Sequence, residues 1–413
     1  MRVLVLTTSF PLEAGSLSGR FVEELLRGLV PFGWTFEVIT PAPATGPLRL
    51  DSGAIRVEAV AFPGHRSGIA HAGGMPDRLG AAPWLGAAAP WMCAALARAA
   101  RLRAPDCDLV WSHWLLPSGW IGARVARTVR RPHLATAHGA DVHLIERLAR
   151  VPGVRALLAS RLGGTRLSAP AERTAARVRA ALGTPVVEVA PLPADAAPPA
   201  VARTRAAAAP LRLLFLGRFE RIKGADLLLA AAARPEAPPL EIVFAGAGRE
   251  EAALRAAARR VPWPVRFAGA LGGAARLAAV HDADLLVVPS RRTRSGRGEG
   301  LPHAATLALA GGTPIVASAG GAIEELLLSS GAGVAFDASG GDAAAAQRLA
   351  ATLARLARDR RALDALERAT IAAGAAFRPG TALPAWDRLL RGALHAGSLP
   401  AAGSHRLALE ATR

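Results

Sequence analysis

Short apolar runs alternate along this chain with stretches whose apolar positions return every three or four residues. Runs that short are read as buried strands and the longer period as amphipathic helix, a rhythm that builds parallel α/β sheets. In the first half the pattern predicts strands at Arg2–Thr7, Phe36–Thr40, Ile55–Val60, Asp108–Ser112, His133–Ala137 and Val186–Ala190, with helices at Gly19–Leu29, Trp91–Arg103, Ser118–Arg130 and Ala171–Leu182. Pro191 to Pro210, rich in Pro and Ala and without periodicity, breaks the rhythm as a linker would. It restarts with strands at Leu211–Leu216, Glu241–Ala245, Val265–Phe267, Leu285–Val288, Ile315–Ala317 and Gly333–Phe336. Helices fit between them at Ala225–Ala233, Arg249–Arg260, Ala274–His281, Pro302–Ala310 and Ile323–Ser329, followed by two Ala-Arg-Leu helices from Asp342 to Gly374.

The expected organisation is two Rossmann-like, doubly wound α/β domains: a first over 1–195, a linker over 196–210 and a second over 211–375. An amphipathic helix over 376–395, around Trp386, is expected to pack back toward the first domain, and 396–413 to form a tail. A length of 413 residues suits two domains of about 200 each. Two such sheets facing one another leave a cleft at their strand C-termini, where this architecture binds ligands.

Composition changes the picture chiefly through charge. The formal net charge is +18, which on its own suggests a nucleic-acid binder. However, of the 50 basic residues Lys223 is the one lysine, and Tyr and Asn are absent. That is the imprint of a GC-rich genome. The arginines are dispersed and lack the interleaved aromatics of a strand-binding platform, so no nucleic-acid partner is expected. Cys93 and Cys107 form neither a disulfide framework nor a zinc pattern. The first apolar run is too short for a secretory signal, and a cytoplasmic location follows. Leu79 to Ala97 carries no charge, but Pro83, Pro90 and its Ala/Gly content argue against a spanning helix. A core helix is the plainer reading. The alternative is an interfacial helix, flanked by Arg98, Arg101 and Arg103, that places the protein peripherally on an anionic inner membrane face.

The chemistry gathers in Leu214–Asp226, where a strand runs into Gly217 and Arg218, and then into Lys223 and Gly224 at the head of a helix. Glycine lets the backbone approach a ligand closely. Arg218 can clamp phosphate oxygens with its fork, Lys223 adds a point charge, and the helix start adds N–H groups. Together they would hold a diphosphate without a metal. The sole lysine of the chain sits in this motif; its plainer reading is a solvated cation at a helix start.

This string resembles the signature of family 4 retaining glycosyltransferases, which have the GT-B fold, and the resemblance continues in order across almost the whole chain. Val243–Gly248 resembles the family's strand and glycine turn at the donor nucleotide, through Gly246 and Gly248. Glu299-Gly300-Leu301-Pro302 resembles the donor-sugar loop, and Ala310–Ser318 with Gly320–Glu324 the closing motifs. In the first domain Thr8–Pro11, the glycine loop through Gly15 and Gly19, His113–Gly119 and Ala137–Val142 match as well.

The resemblance implies a UDP-, GDP- or dTDP-sugar donor in the second domain and a glycan or polyprenyl-linked acceptor in the first, with retention of configuration and neither metal nor cofactor. By that likeness Arg218 and Lys223 neutralise the leaving diphosphate, and Glu299 contacts the donor sugar. The backbone of Gly300 and Leu301 reaches sugar or phosphate oxygens, and Gly19 faces the phosphate from the other lobe. His138 lies near the sugar, with Asp141 orienting its loop and His113 on the acceptor side. Plainer readings stand beside these: a strand-end histidine for His138, a helix cap for Glu299, core for most of Trp111, Trp114 and Trp120, and a solvated loop for Arg291, Arg292, Arg294 and Arg297. The sequence departs from the family at Leu307, where a second glutamate usually binds the nucleotide ribose. Losing that hydrogen bond costs about 1–3 kcal/mol. A catalytically impaired GT-B protein that only binds a sugar nucleotide or a partner is therefore the rival reading, whereas an epimerase would need an acid–base constellation that the sequence lacks.

Overall fold

The computed structural model of the protein describes residues 1–12, 18–70, 75, 79, 82–194, 209–291 and 301–396. Most of the linker reading (196–210), the tail beyond 396, Gly15, and the loop that holds Arg292, Arg294, Arg297, Glu299 and Gly300 lie outside the described residues.

Two sheets carry the fold. The first is eight-stranded, in the order β3-β4-β2-β1-β5-β6-β7-β8. Its strands are β1 (Arg2–Leu6), β2 (Thr35–Pro41), β3 (Leu48–Asp51), β4 (Ile55–Val60), β5 (Leu109–His113), β6 (His133–Thr136), β7 (Arg166–Ala169) and β8 (Glu188–Val189). All neighbours run parallel except β3, which pairs antiparallel with β4 at the edge. Its helices are α1 (Arg20–Leu29), α2 (Ala89–Arg103), α3 (Trp120–Val129), α4 (Ala140–Leu148), α5 (Val154–Arg161) and α6 (Glu172–Leu182).

The second sheet is six-stranded and parallel, in the order β11-β10-β9-β12-β13-β14. Its strands are β9 (Leu211–Leu216), β10 (Leu240–Ala245), β11 (Val265–Gly269), β12 (Leu285–Val288), β13 (Ile315–Ser318) and β14 (Gly333–Phe336). Around it lie α7 (Ala225–Ala232), α8 (Glu251–Ala258), α9 (Gly273–Asp282), α10 (His303–Ala310), α11 (Gly321–Ser330), α12 (Asp342–Arg358) and α13 (Arg360–Gly374). The central strands β1, β5, β9 and β12 are mostly apolar and almost wholly buried, as strands covered by helices on both faces must be. Each sheet reverses its winding once, at β1/β5 and at β9/β12, and a crevice opens at such a point.

The last helix, α14 (Pro379–Ala396), returns to the first lobe. Trp386 is fully buried there against Trp111, with ring centroids 5.3 Å apart, and its indole N–H donates to the Pro191 carbonyl at 2.8 Å. Trp34 donates to Asp387 at 2.8 Å, so both indoles bury their rings without leaving a donor unmet. α14 thereby ties the end of the second lobe to the core beneath α1.

The uncharged stretch from Leu79 onward folds, where described, as a 3₁₀ turn (Pro83–Ala88) leading into α2. Met92, Leu96, Ala99 and Ala100 bury one face of α2. Trp84 and Trp91 remain 73% and 60% exposed, so the core-helix reading accounts for only half of this segment. No helix among the described residues is long and apolar enough to cross a membrane.

Candidate active site

Between the lobes, at the β9/β12 reversal, lies a cavity of about 170 Å³. Its second-lobe wall is made by the ends of those strands and the turns that follow: Gly217, Arg218, Lys223, Val288 and Ser290. Its opposite wall is Arg20 and Phe21, the first residues of α1. Arg218 and Lys223 therefore face one crevice, across from the other lobe.

The local sequence dictates this arrangement. A Cβ at Gly246 would lie 1.8 Å from the Gly217 carbonyl oxygen, so the turns after β9 and β10 nest only because Gly246 has no side chain. Gly248 rests in the same way against the Phe219 backbone. Gly224 has φ 72 and its Cβ would strike the Pro289 carbonyl, so a glycine lets the Lys223 turn close onto the end of β12. Arg291 pins that turn. Its guanidinium forms bidentate bonds to Asp226 at 2.6 and 2.7 Å, bonds Asp342 at 3.0 Å, and reaches the Arg221 carbonyl at 2.9 Å. These carboxylates outweigh burial and hold its pKa well above the ordinary arginine value. Arg291 is thus a brace for the Lys223 turn and not a solvated cation.

In the first lobe, α1 begins after Gly19, which has φ 73 and a Cβ position 2.3 Å from the Ser9 carbonyl. His138 follows β6. Its loop is held by Asp141, whose buried carboxylate accepts the N–H groups of His138 (3.0 Å), Gly139 (2.9 Å) and Leu115 (2.7 Å). Burial raises the Asp141 pKa, partly opposed by these bonds. His138 packs against Phe21 and Trp114, with centroids at 5.0 and 4.9 Å, so it stands one ring behind the cavity wall. Trp114 adopts φ 67, an uncommon conformation for a bulky residue. His113 stacks on His138 at 5.2 Å, and its Nδ1 shares a 3.0 Å hydrogen bond with His138 Nε2. His113 has no exposed surface. The acceptor-side contact expected of it is therefore at most indirect, through His138. Burial lowers the pKa of both rings, to about 3 for His138, so each is neutral at ordinary pH.

Two family models match the sequence, one in each lobe: "Glycosyl transferase 4-like domain" over residues 18–195 and "Glycosyl transferases group 1" over residues 210–359. The chain belongs to the GT-B glycosyltransferases. Solved structures agree on the fold. HepE from Anabaena, determined with UDP, is 17% identical with a TM-score of 0.65, covering 95% of this chain and 100% of HepE. Sucrose-phosphate synthase from Thermosynechococcus elongatus is 18% identical with a TM-score of 0.65, covering 96% and 100%. WaaG, a glycosyltransferase involved in lipopolysaccharide biosynthesis, is 14% identical with a TM-score of 0.60, covering 95% and 100%. No curated protein matches.

The transferase places its remaining predicted residues as follows. Pro302 caps α10 and lines the cavity, as does Leu307 one turn further on, fully buried. Leu301 is half-buried and packs toward the core behind that wall. Gly246 lines the cavity; Gly248 lies behind it. Sequence reasoning missed Arg20, Phe21, Arg276 and His303, all cavity-lining, and Glu24, which joins the lobes. Glu24 on α1 accepts from Arg276 at 2.6 Å and shares a 2.9 Å hydrogen bond with His303. Burial opposes its ionisation, yet these partners hold the Glu24 carboxyl down at about 2. No short motif contains these residues, which meet only when the lobes face each other.

Proposed function

We propose that this transferase is metal-independent and retaining, and moves a sugar from a UDP-sugar to a glycan or polyprenyl-linked acceptor at the inner face of the membrane. The observation that carries the reading is the convergence of Arg218 and Lys223 on the interlobe cavity at a topological switch point. Two cations fixed before the reaction begins stabilise the charge that develops on a departing diphosphate, with no reorganisation at the moment of bond cleavage. HepE binds UDP and, in another structure, UDP-glucose, which favours uridine over guanosine or thymidine as the donor base.

In this reading no metal is needed because Arg218 and Lys223 supply the countercharge. The released phosphate oxygen takes the acceptor proton on the face it leaves, which gives retention. Neutral His138 offers the sugar a hydrogen bond and not a proton, in keeping with its lowered pKa. Glu299 and the Gly300 and Leu301 backbone hold the sugar hydroxyls. Leu307 offers the ribose no acceptor, so donor affinity rests correspondingly more on the diphosphate. Incubated with UDP-, GDP- and dTDP-glucose, the enzyme is expected to release nucleoside diphosphate fastest from UDP-glucose. Release from none of the three would contradict the transferase mechanism, and preference for another base would overturn the uridine assignment.

The peripheral membrane location is supported by α2. Trp91, Arg98 and Leu102 stand at i, i+7 and i+11, all exposed, and share a side of α2 distinct from the buried face of Met92, Leu96, Ala99 and Ala100. With Trp84, exposed in the turn before α2, they present apolar side chains and an arginine to solvent, a combination suited to anionic headgroups. Trp84→Ala/Trp91→Ala is expected to cut co-sedimentation with vesicles of anionic phospholipid at least about threefold, as the loss of two interfacial aromatics implies. Equal binding by both proteins would remove α2 as the membrane face.

A further inference from the structure

The cavity carries more positive charge than a donor diphosphate uses. Beside Arg218 and Lys223 it is lined by Arg20, from the first lobe, and Arg276, from the second. Arg20 has no hydrogen-bond or ion-pair partner among the described residues. Its guanidinium reaches across the cleft, with Nη1 3.2 Å from where a Cβ on Gly272 would lie, so this glycine leaves the room it occupies. Gly272 is the N-cap of α9, and Arg276 stands one turn further along that helix.

Arg276 is 8% exposed and its Nη2 is bonded to Glu24 at 2.6 Å, but its Nε–H has no partner among the described residues. A buried guanidinium N–H left unmet is costly, and an oxyanion would meet it. Among the described residues Glu24 is the one carboxylate bonded to Arg276, and it is already shared with His303. Among the described residues, therefore, one shared carboxylate faces two guanidiniums, and Arg20 is paired with none.

We propose that Arg20 and Arg276 form a second anion subsite, next to the donor diphosphate, that takes a phosphate group carried by the acceptor. Resting on the donor reading above, this assigns the two second-lobe cations Arg218 and Lys223 to the donor. It leaves Arg20, which α1 delivers from the acceptor lobe, to the other substrate. A sugar phosphate and a lipid phosphate present the same chemistry to these guanidiniums, and binding separates them.

The test is calorimetric titration of the full-length protein saturated with UDP. Glucose 6-phosphate and farnesyl phosphate are titrated separately, with glucose and farnesol as the uncharged controls. One of the two phosphates is expected to bind at least about tenfold more tightly than its uncharged control, the worth of a charge-assisted hydrogen bond in a desolvated site. The phosphate that does so identifies the source. Arg20→Gln breaks no hydrogen bond or ion pair among the described residues, and is expected to erase that difference while weakening UDP binding by a smaller factor. Arg276→Gln is expected to act in the same direction. Phosphates that bind no better than their controls, or binding that survives both substitutions, would overturn the subsite. If UDP itself does not bind, the donor reading falls, and the same titrations of the free protein still decide whether Arg20 and Arg276 hold a phosphate.

Discussion

Lys223→Ala lowers the rate of sugar release from UDP-glucose by about 100-fold or more, in line with losing one preorganised donor to a developing negative charge. The fold is expected to survive. Lys223 is half-buried at the rim of the cavity, and the turn that carries it is fixed by Gly224 and by the Arg291 brace, neither of which the substitution touches. Lys223→Arg tests geometry apart from charge. Its planar fork is a different shape from a compact ammonium, so it should restore only part of the rate. Unchanged turnover in the alanine variant would remove Lys223 from leaving-group stabilisation.

Acid destabilises this protein well before its surface carboxylates titrate. Burial keeps three histidines neutral in the folded first lobe: His133, lowered to about 3 with a further contribution from nearby Arg127; His138, lowered to about 3; and His113, well below its ordinary value. His133 bonds Ser112 and Thr165, both at 2.9 Å, with its two ring nitrogens. In the unfolded chain each regains a pKa near 6.5. Between that value and about 3 the unfolded state binds more protons than the folded state. The stability these groups contribute is therefore fully present above pH 6.5 and is lost as the pH falls.

Each independent group can remove up to about 1.4 kcal/mol per pH unit in that window. His113 and His138 share a hydrogen bond and titrate as a pair, and Asp141, whose pKa burial raises, opposes the loss in part. The midpoint of urea unfolding is expected to fall steadily from pH 6.5 to 5, and His133→Gln to flatten that slope. A midpoint constant across this range would show that the three rings are not held neutral by burial.

Strands with a continuous or alternating apolar pattern were legible: β4, β9, β12 and β14 fall where that pattern predicts them. β3 was not legible because three of its four residues are exposed and it pairs at an edge, so no burial pattern marks it. β7 reads Arg-Leu-Ser-Ala, and its central Ser168 is fully buried by bonding Thr136, a polar residue where the pattern looks for an apolar one. α4 was hidden inside a motif read as a binding loop, and α5 is mostly exposed, with only Leu158 buried.

The site divides along the same line. Gly217, Arg218, Lys223 and Gly224 are adjacent in sequence and in space, so strand, glycine and cation announce them. Glu24 and Arg276 stand 252 positions apart, and no local signal couples a carboxylate on α1 to an arginine on α9. Arg20 and Phe21 look like ordinary helix-start residues until the second lobe supplies the opposite wall.

Whether Arg218 and Lys223 grip a diphosphate is tested directly by titrating UDP and uridine into the wild-type protein and Lys223→Ala. UDP should bind wild type at least about tenfold more tightly than uridine, as charge-assisted hydrogen bonds to phosphate require, and most of that advantage should vanish in the variant. Equal affinity for UDP and uridine in the wild type, or an advantage that Lys223→Ala leaves intact, would contradict that grip.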